Sequence, residues 1–337
     1  MQRKQNLTID DIARELSVSK TTVSRAISGK GRISTATRER VLEYIQQCNY
    51  RPSAAAKGLA ESRTYNLALV IPRSFIGLDQ PFVRESMSAI CEEAFLQDYN
   101  ILVCLSTDDS PASLLRTLDN RKVDGVILSR TVENDTLVDV MVQRGIPFAT
   151  MGSLPPSCRG SATVEADHDQ IGACRAFSHQ FLSGGSGKVA LLGNDMNYIV
   201  NQSRLSGFQQ AADALGIPPE DIFLRAGLFT RTQCASAVDE LLEMGVHRFL
   251  AMDNDICMQT VSRLSERSVS IPKQAQVASL YDSAQLTSHE PSISALQFDA
   301  AELGQVTCRE LLRCLRGEEY NPAPRLGYKI CLRESTT

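Results

Sequence analysis

Short apolar runs alternate with segments of helical periodicity along most of this chain, and this alternation limits its possible folds more than any other feature. The runs fall at 66–71, 101–105, 126–128, 148–151, 189–192, 222–224, 249–252 and 277–280. Repeated strand–helix units of this size predict doubly wound parallel sheets. The pair Pro155-Pro156 interrupts the series and a second set begins after His168, so we expect two α/β lobes.

The composition is that of a folded globular protein. The 337 residues are 43% hydrophobic and 22% charged, which argues against disorder, collagen and coiled coil. No window approaches the roughly 20 uninterrupted apolar residues of a membrane span. Residues 1–6 lack the apolar core of a signal peptide. We therefore expect a cytoplasmic protein with no membrane partner.

Neither cysteines nor histidines are spaced for metal binding. The tightest pair among the ten cysteines, Cys308 and Cys314, stands further apart than zinc ligands or redox pairs do. Residues 183–188 look like a phosphate loop but lack the first glycine and the final hydroxyl residue of a Walker motif. The sequence thus predicts free cysteines, no metal, no cofactor and no enzymatic activity.

Charge is distributed unevenly along the chain. Residues 1–64 hold 12 Lys or Arg against 6 Asp or Glu, whereas the remaining residues hold 23 against 33. A basic head on an acidic body predicts that the head binds a polyanion. A merely solvated basic segment would have the same composition, so the pattern of residues must decide.

The head has the pattern of three short helices. The first begins at Thr8 and Asp11, which stand in capping-box positions. The second covers 20–27 and ends at Gly29, and the third covers 35–48. Their inward faces are formed by Ile9, Ile12, Ala13 and Leu16, by Val23, Ala26 and Ile27, and by Val41, Leu42 and Ile45. This arrangement, with a tight turn before the second helix, predicts a helix-turn-helix.

The outer face of the second helix offers hydrogen-bond donors and no carboxylate. Such a face suits the major groove of DNA, which presents acceptors on guanine and adenine and lies between phosphates. Base contacts are expected from Lys20, Thr21 and Arg25, and phosphate contacts from Ser19, Thr22 and Ser24.

These residues resemble the head of the lac repressor family of bacterial transcription regulators. The match is carried by Thr8-Ile9-Asp10-Asp11-Ile12-Ala13, Val18-Ser19, Thr22-Val23-Ser24-Arg25, Gly29-Lys30, Thr37-Arg38-Glu39-Arg40-Val41 and Asn49-Tyr50-Arg51-Pro52. The resemblance implies a head over residues 1–52 that binds double-stranded operator DNA within a homodimer, with a tetramer possible. It also implies DNA contacts from Thr8, Arg32, Ser34, Thr37 and Tyr50.

The resemblance further implies a hinge helix and linker over residues 53–63. In that family the hinge helix enters the minor groove and wedges a leucine between base pairs, and the matching DNA contacts here are Ala56 and Leu59. An apolar wedge can unstack and kink a base step. A linker leucine that packs on the body is the alternative for Leu59. Because so short a helix is marginal alone, we expect the hinge to fold on operator DNA.

The body, residues 64–337, resembles the same family and the periplasmic sugar-binding proteins whose plan that family shares. The resemblance implies a first lobe over about 64–164 and 298–325, and a second lobe over about 165–297 and 326–337. In this architecture a ligand binds between the lobes, at the carboxyl ends of the strands.

Charged, amide and aromatic residues stand at those predicted strand ends. They are Arg73, Phe82, Arg130, Asp167, Arg204, Phe229, Asp253, Asn254, Tyr281 and Gln297. Carboxylates and amides bind hydroxyl groups, and a guanidinium offers a fixed fork of donors. Aromatic rings offer flat apolar faces to a sugar. We therefore predict a small effector of carbohydrate type.

Ordinary structural roles remain open for several of these residues. Asp167 could cap the helix that starts near residue 169, and Arg204 could form a surface ion pair. Phe82 could belong to the core, and Arg130 could be a solvated loop residue.

Two departures from the family pattern leave the effector open. Asp253-Asn254 reverses the family's order, and Tyr281 replaces the first acid of a pair. Arg73, Arg130 and Arg204 would also admit an acidic or phosphorylated sugar.

The sequence thus predicts an all-α helix-turn-helix head and an α/β body of two doubly wound lobes. The predicted function is a ligand-responsive, sequence-specific DNA-binding repressor. One alternative is a solute-binding protein without DNA function, against which the basic helix-turn-helix argues. The other is a repressor that responds to a metabolite other than a sugar.

Overall fold

The computed structural model describes residues 7–29, 31–48, 58, 61, 63–73, 81–106 and 112–337. The chain divides into two units, Met1–Thr64, which contains the head, and Tyr65–Thr337, the body. Tyr50, Ala56 and Leu59, predicted to contact DNA, lie outside the described residues.

The head contains the three predicted helices, α1 (Ile9–Glu15), α2 (Lys20–Ser28) and α3 (Thr35–Gln47). Each begins at a hydroxyl residue whose side-chain oxygen accepts a backbone N–H from the first turn, which satisfies an otherwise unpaired donor. These N-caps are Thr8, Ser19 and Ser34. The capping box at Thr8 and Asp11 is present, and α2 ends at Gly29 in the left-handed conformation with φ 71°.

The core of the head lies where the three helices meet. Its buried side chains are Ile12, Ala13, Val23, Ala26 and Val41. The prediction that Leu42 faces inward is wrong, since 43% of Leu42 is exposed. Leu42 follows the buried Val41 by one residue, which turns it by about 100° around the helix axis and away from the core.

Two arginines of α3 satisfy the ends of the other two helices. Arg40 donates to the carbonyl of Leu16 at 2.5 Å, and Arg38 donates to the carbonyl of Gly29 at 3.3 Å. Cations at a helix C-terminus also interact favourably with the helix dipole. Part of the positive charge of the head therefore fixes the geometry of α1 and α2.

Within its described residues the body has two six-stranded sheets. The first sheet contains β1 (Asn66–Pro72), β2 (Asn100–Ser106), β3 (Gly125–Leu128), β4 (Phe148–Met151), β5 (Val164–His168) and β11 (Arg325–Leu326). The second contains β6 (Val189–Leu192), β7 (Ile222–Arg225), β8 (Arg248–Ala251), β9 (Gln276–Ser279), β10 (Ser294–Phe298) and β12 (Tyr328–Cys331). The strand orders are β11-β5-β4-β3-β1-β2 and β12-β10-β9-β8-β6-β7.

Helices connect the strands and cover the sheets. They are α4 (Pro81–Leu96), α5 (Ala112–Asp119), α6 (Thr136–Arg144), α7 (Gln170–Ser183), α8 (Ile199–Ala214), α9 (Arg231–Glu243), α10 (Asn254–Glu266), α11 (Ala284–Ser288) and α12 (Ala300–Arg316). All strand pairs are parallel except β10 with β12. The central strands are buried on both faces, which explains their continuous apolar runs. The two predicted doubly wound lobes are confirmed.

The chain passes between the lobes three times. It leaves the first sheet after β5, returns after β10 to place α12 on the first lobe, and passes from β11 to β12 through Gly327. The first segment of the first lobe is predicted to end near residue 164, about four residues before the first crossing. Strand β5 pairs with β4 and so belongs to the first sheet, and the first crossing comes after His168.

Residues 333–335 follow the last strand of the second lobe and form hydrogen bonds with three parts of that lobe. The Ser335 hydroxyl donates to the carbonyl of Val277 at 2.7 Å and accepts the N–H of Ser294 at 2.9 Å. Arg333 forms a two-bond ion pair with Asp282, at 2.9 and 2.5 Å. This segment therefore ties together β9, β10 and the loop between them.

No helix in the described part of the chain is long and apolar enough to cross a membrane. All ten cysteines are free, as predicted, and five of them are buried. The described residues include no group of three or more His, Cys, Asp or Glu placed to hold a metal ion.

Gly207 allows α7 and α8 to pack closely, and Gly207→Ala is expected to destabilise the second lobe. An added Cβ would lie 2.7 Å from the Ile171 carbonyl oxygen and 2.9 Å from the Arg175 nitrogen. Because both are backbone atoms, the helices must separate, at a cost of about 1–3 kcal/mol. Chemical denaturation of the full chain measures this. Gly184→Ala is the matched control, since its Cβ makes only ordinary contacts at 3.4 Å or more; equal losses in both variants would contradict the close-packing argument.

Candidate functional site

The outer face of α2 carries the polar residues predicted to contact DNA. Lys20, Thr21, Ser24 and Arg25 are exposed, and Thr22 is half-buried. The opposite face of the helix is held in the head core by Val23 and Ala26. The fold therefore leaves a continuous donor-rich surface along α2.

An acidic neighbour of this surface was not foreseen from the sequence. Asp10 of α1 accepts an ion pair from Lys20 at 2.6 Å, and both side chains are largely exposed. Exposed pairs of this kind contribute little, with a median of about 0–1 kcal/mol. A phosphate or a base acceptor can therefore replace Asp10 as the partner of Lys20.

Arg25 lies against the turn that follows α2. A Cβ on Gly31 would come within 3.0 Å of the Arg25 side chain, and Gly31 has φ +86°. Glycine at this position leaves room for the guanidinium stem and adopts a conformation that other residues rarely adopt.

Paired hydroxyls stand at the N-termini of α2 and α3. The hydroxyl oxygens are 2.8 Å apart in the pair Ser19 and Thr22, and 2.7 Å apart in the pair Ser34 and Thr37. Helix N-termini attract anions through their N–H groups and dipoles. The placement suits phosphate contacts, which set the position of a protein on DNA. Arg32 and Thr8 are also exposed.

In the body, a cavity of about 280 Å³ lies at the carboxyl ends of β1, β2 and β3. Arg130, predicted to bind the effector, lines it together with three carboxylates, those of Glu133, Asp135 and Asp195. Sequence reasoning missed Glu133 and Asp135. Asp195 comes from the second lobe, so the cavity lies between the lobes. Its wall has more negative than positive charge.

Arg130 is held in place by an aromatic ring. Its guanidinium carbon lies 4.0 Å from the centre of the Tyr198 ring, across the cleft. The half-buried Arg130 is therefore part of a cation–π contact, and the alternative of a solvated loop residue does not hold. Arg73, at the end of β1, is exposed.

Arg204 belongs to a buried polar network. Only 8% of Arg204 is exposed, so the alternative of a surface ion pair does not hold. Its guanidinium donates to Asn201 at 3.1 Å, Asn201 donates to Asn194 at 2.7 Å, and Asn194 donates to Asp253 at 3.0 Å. The Nε atom of Arg204 is buried without a hydrogen-bond partner among the described residues. The network therefore keeps one strong donor unused.

Asp253 has a structural role as well. It caps α10 by accepting the N–H of Ile256 at 2.9 Å, and burial raises the pKa of its carboxyl group. Asn254 is buried in the first turn of α10 and donates to its neighbour Asp255. The structure therefore brings Asp253 into the Arg204 network, whereas Asn254 contacts a residue of its own helix.

Asp167 is buried at the end of β5. It accepts bonds from the N–H and the hydroxyl of Ser153 at 2.8 and 2.6 Å, and burial raises the pKa of its carboxyl group. The helix cap that was considered for Asp167 is formed by Asp169, which accepts the N–H of Gly172. Asp167 thus holds the loop after β4 in place through its two hydrogen bonds with Ser153.

Aromatic side chains meet across the cleft. Phe82 from α4 packs against the cores of both lobes, and its ring lies edge-on to Tyr281 at 6.3 Å between centres. Burial raises the pKa of the Tyr281 phenol, so this group remains a hydrogen-bond donor at neutral pH. Phe229 differs, since 64% of it is exposed. Gln297 is also exposed, near Cys331 on the neighbouring strand.

Asp282, the acid after Tyr281, is already paired with Arg333 of the C-terminal segment. Arg333 holds both of its carboxylate oxygens, so this acid serves the stability of the second lobe.

His168 is the last residue of β5 and lies at the first crossing between the lobes. Its ring packs on Phe298, the residue before the second crossing, at 4.8 Å between centres. Burial lowers the pKa of His168 to about 4, so it is neutral at pH 7. The two crossings are therefore joined by a buried ring contact.

Comparisons with known proteins match both parts of the chain. The family described as "Bacterial regulatory proteins, lacI family" matches residues 8–53, and the "Periplasmic binding protein-like domain" matches residues 179–336. Catabolite control protein A of Priestia megaterium is 26% identical over 340 residues, covering 98% of this chain and 99% of that protein.

Two solved structures have the same fold over 98% of this chain and 99% of their own. The lac repressor dimer bound to operator and the anti-inducer ONPF has a TM-score of 0.80 at 17% identity. The complex of the transcriptional regulator CelR with cellobiose has a TM-score of 0.70 at 23% identity.

Proposed function

The chain belongs to the lac repressor family of bacterial transcription regulators, and on this premise we propose that a small effector bound between its lobes controls operator binding by its paired heads. The protein is a ligand-responsive regulator that binds specific DNA sequences. Two features of the same chain carry the proposal. The head presents the donor-rich face of α2 in a helix-turn-helix, and the body contains a polar cavity lined by residues of both lobes.

Operator recognition is assigned to α2 in the major groove. Lys20, Thr21 and Arg25 are proposed to contact base edges, because they lie on the exposed face of α2. The hydroxyl pairs at the N-termini of α2 and α3 are proposed to position the head on phosphates. A homodimer with two-fold symmetry requires a nearly palindromic operator.

Arg25→Ala is expected to relax base preference at one operator position. A guanidinium that contacts a base contributes about 1–3 kcal/mol of discrimination, and alanine removes it. Binding to a library of operators with single base changes, measured by mobility shift at constant salt, gives the preference at each position. Lys30→Ala is a charge-matched control outside α2. If Arg25→Ala weakens all sequences equally, Arg25 contacts phosphate.

The effector is proposed to bind in the cleft with Arg204, Asp253, Tyr281, Phe82 and Arg130. A small uncharged carbohydrate is favoured. Of these five residues, Arg130 lines the cavity of about 280 Å³, and the other four are not part of its wall. The volume lies near the lower limit of about 300 Å³ for ligand pockets, and three carboxylates in the wall would repel a phosphate. Arg73 and Phe229 are proposed to contact the effector from the rim. CelR, of the same fold, binds cellobiose.

A thermal-shift screen of the full chain tests the effector class. Neutral mono- and disaccharides, sugar phosphates and nucleosides are compared at equal concentration, since a ligand that binds only the folded state raises the melting temperature. Stabilisation by a neutral sugar supports the proposal. Stabilisation by a sugar phosphate or a nucleoside alone would replace it with a repressor of another metabolite.

A mobility-shift experiment tests the coupling between effector and DNA. A compound found in the screen must change operator affinity, and operator DNA must change the affinity for that compound by the same factor. Absence of any sequence-specific DNA binding would instead favour a solute-binding protein.

A further inference from the structure

Two loops from opposite lobes are joined by backbone hydrogen bonds. Residues 130–133 follow β3 in the first lobe, and residues 195–202, which include the first turn of α8, follow β6 in the second. The Glu133 N–H donates to the Asn197 carbonyl at 2.8 Å, and the Ile199 N–H donates to the Thr131 carbonyl at 3.2 Å. Val132 and Tyr198 form an antiparallel bridge between these bonds. The lobes thus share a short piece of sheet-like pairing at the cleft.

Side chains reinforce this pairing. Arg130 covers the Tyr198 ring at 4.0 Å, and the Gln202 amide donates to the Glu133 carboxylate at 3.4 Å. Thr131 is buried and donates its hydroxyl hydrogen to the Ser153 carbonyl at 2.6 Å, which anchors the loop to its own lobe. The first-lobe segment is therefore anchored to its own lobe, and side-chain contacts add to the backbone bonds between the lobes.

The contact lies away from the crossings between lobes. In the first sheet β3 is two strands from β5, and in the second sheet β6 is three strands from β10. At about 4.8 Å per strand these are separations of about 10 and 14 Å. A rotation of the lobes about the crossings must therefore break the contact.

The same loops enclose the cavity. Arg130, Val132, Glu133, Asp195 and Asn197 line it, and all five belong to the two paired loops.

We propose that residues 130–133 and 195–202 form an interlobe latch, which stabilises the closed arrangement of the two lobes. The latch bonds exchange with bonds to water when the cleft opens, so the two states differ by a small free energy that a ligand can shift. This inference does not rest on the identity of the effector, and it stands even if the proposed effector class fails.

Hydrogen exchange of the full-length, effector-free protein tests the latch. The amide of Glu133 is expected to exchange at least about tenfold more slowly than its intrinsic rate, because opening must precede exchange. Exchange at the intrinsic rate would overturn the proposal without any variant.

Ile199→Pro removes one latch bond with little local damage. Ile199 is the first residue of α8, where proline is tolerated, and Tyr198 before it has the extended conformation that precedes proline. The variant loses the N–H that reaches Thr131. We expect the Glu133 amide to exchange about three- to tenfold faster, while amides of β3 and β6 stay protected.

Ile199→Ala is the matched control, because it shortens the same side chain and keeps the N–H. It is expected to change exchange at Glu133 by much less than Ile199→Pro does. Equal acceleration in both variants, or none in Ile199→Pro with β3 and β6 intact, would overturn the latch.

Discussion

Arg204→Ala is expected to weaken effector binding by about 10- to 100-fold, the loss that follows removal of a charged hydrogen-bond donor. Arg204 is buried, its Nε has no hydrogen-bond partner among the described residues, and its charge faces Asp253. Operator affinity without effector should stay within about twofold, because the head is a separate unit. Thermal shift against effector concentration and operator titration give the two values.

The variant Arg204→Lys distinguishes the effect of the positive charge at this position from the effect of the planar guanidinium shape. Lysine keeps the positive charge near Asp253 but loses the planar fork, so it should restore stability more than effector affinity. If operator affinity falls as far as effector affinity in Arg204→Ala, Arg204 is a structural residue and the assignment of the cleft is wrong.

Arg333→Met is expected to destabilise the body by about 3–5 kcal/mol, because it leaves the carboxylate of Asp282 buried without its cation. The side chains are 16% and 7% exposed, and two hydrogen bonds join them. Arg333 also donates to the Ile293 carbonyl at 2.6 Å, which the variant leaves unsatisfied. Chemical denaturation, followed in the body, measures the loss.

A double-mutant cycle with Asp282→Leu identifies the cause. Removing both charges should cost much less than removing Arg333 alone, since no unpaired charge then remains buried. Additive losses in the double variant would show that the ion pair itself contributes little.

Much of the fold could be predicted because the spacing of apolar residues and the helix N-caps depend on residues that are close together in the sequence. The head helices begin at Thr8, Ser19 and Ser34 because a hydroxyl there satisfies the first-turn N–H groups, and this signal is visible in the sequence. The central parallel strands are visible as continuous apolar runs because both of their faces are buried. Strand β5 was less visible, because its sequence Val-Glu-Ala-Asp-His mixes charged and apolar residues in a buried strand.

The site was harder to predict because partners distant in sequence decide what each residue can do. The sequence does not reveal that Arg333 forms an ion pair with Asp282, or that Asp10 forms one with Lys20. The carboxylates of Glu133 and Asp135 were missed because no local pattern shows that the segment after β3 lines a cavity together with Asp195 of the other lobe. Arg204 was placed in the cleft by resemblance, whereas its link to Asp253 through two asparagines appears only in the fold.

The interleaving of the lobes has a consequence for the order in which the protein folds during synthesis. The first sheet needs β11 and the helix α12, and the second needs β12 together with Ser335, so both lobes depend on residues beyond 300. The head has its own core within residues 9–45. On the ribosome the head can therefore fold early, whereas the first lobe is not complete until residue 326 has emerged, and the second lobe not until residue 335 has emerged. A nascent chain would pass through a period in which a folded DNA-binding head precedes a body that cannot yet bind an effector.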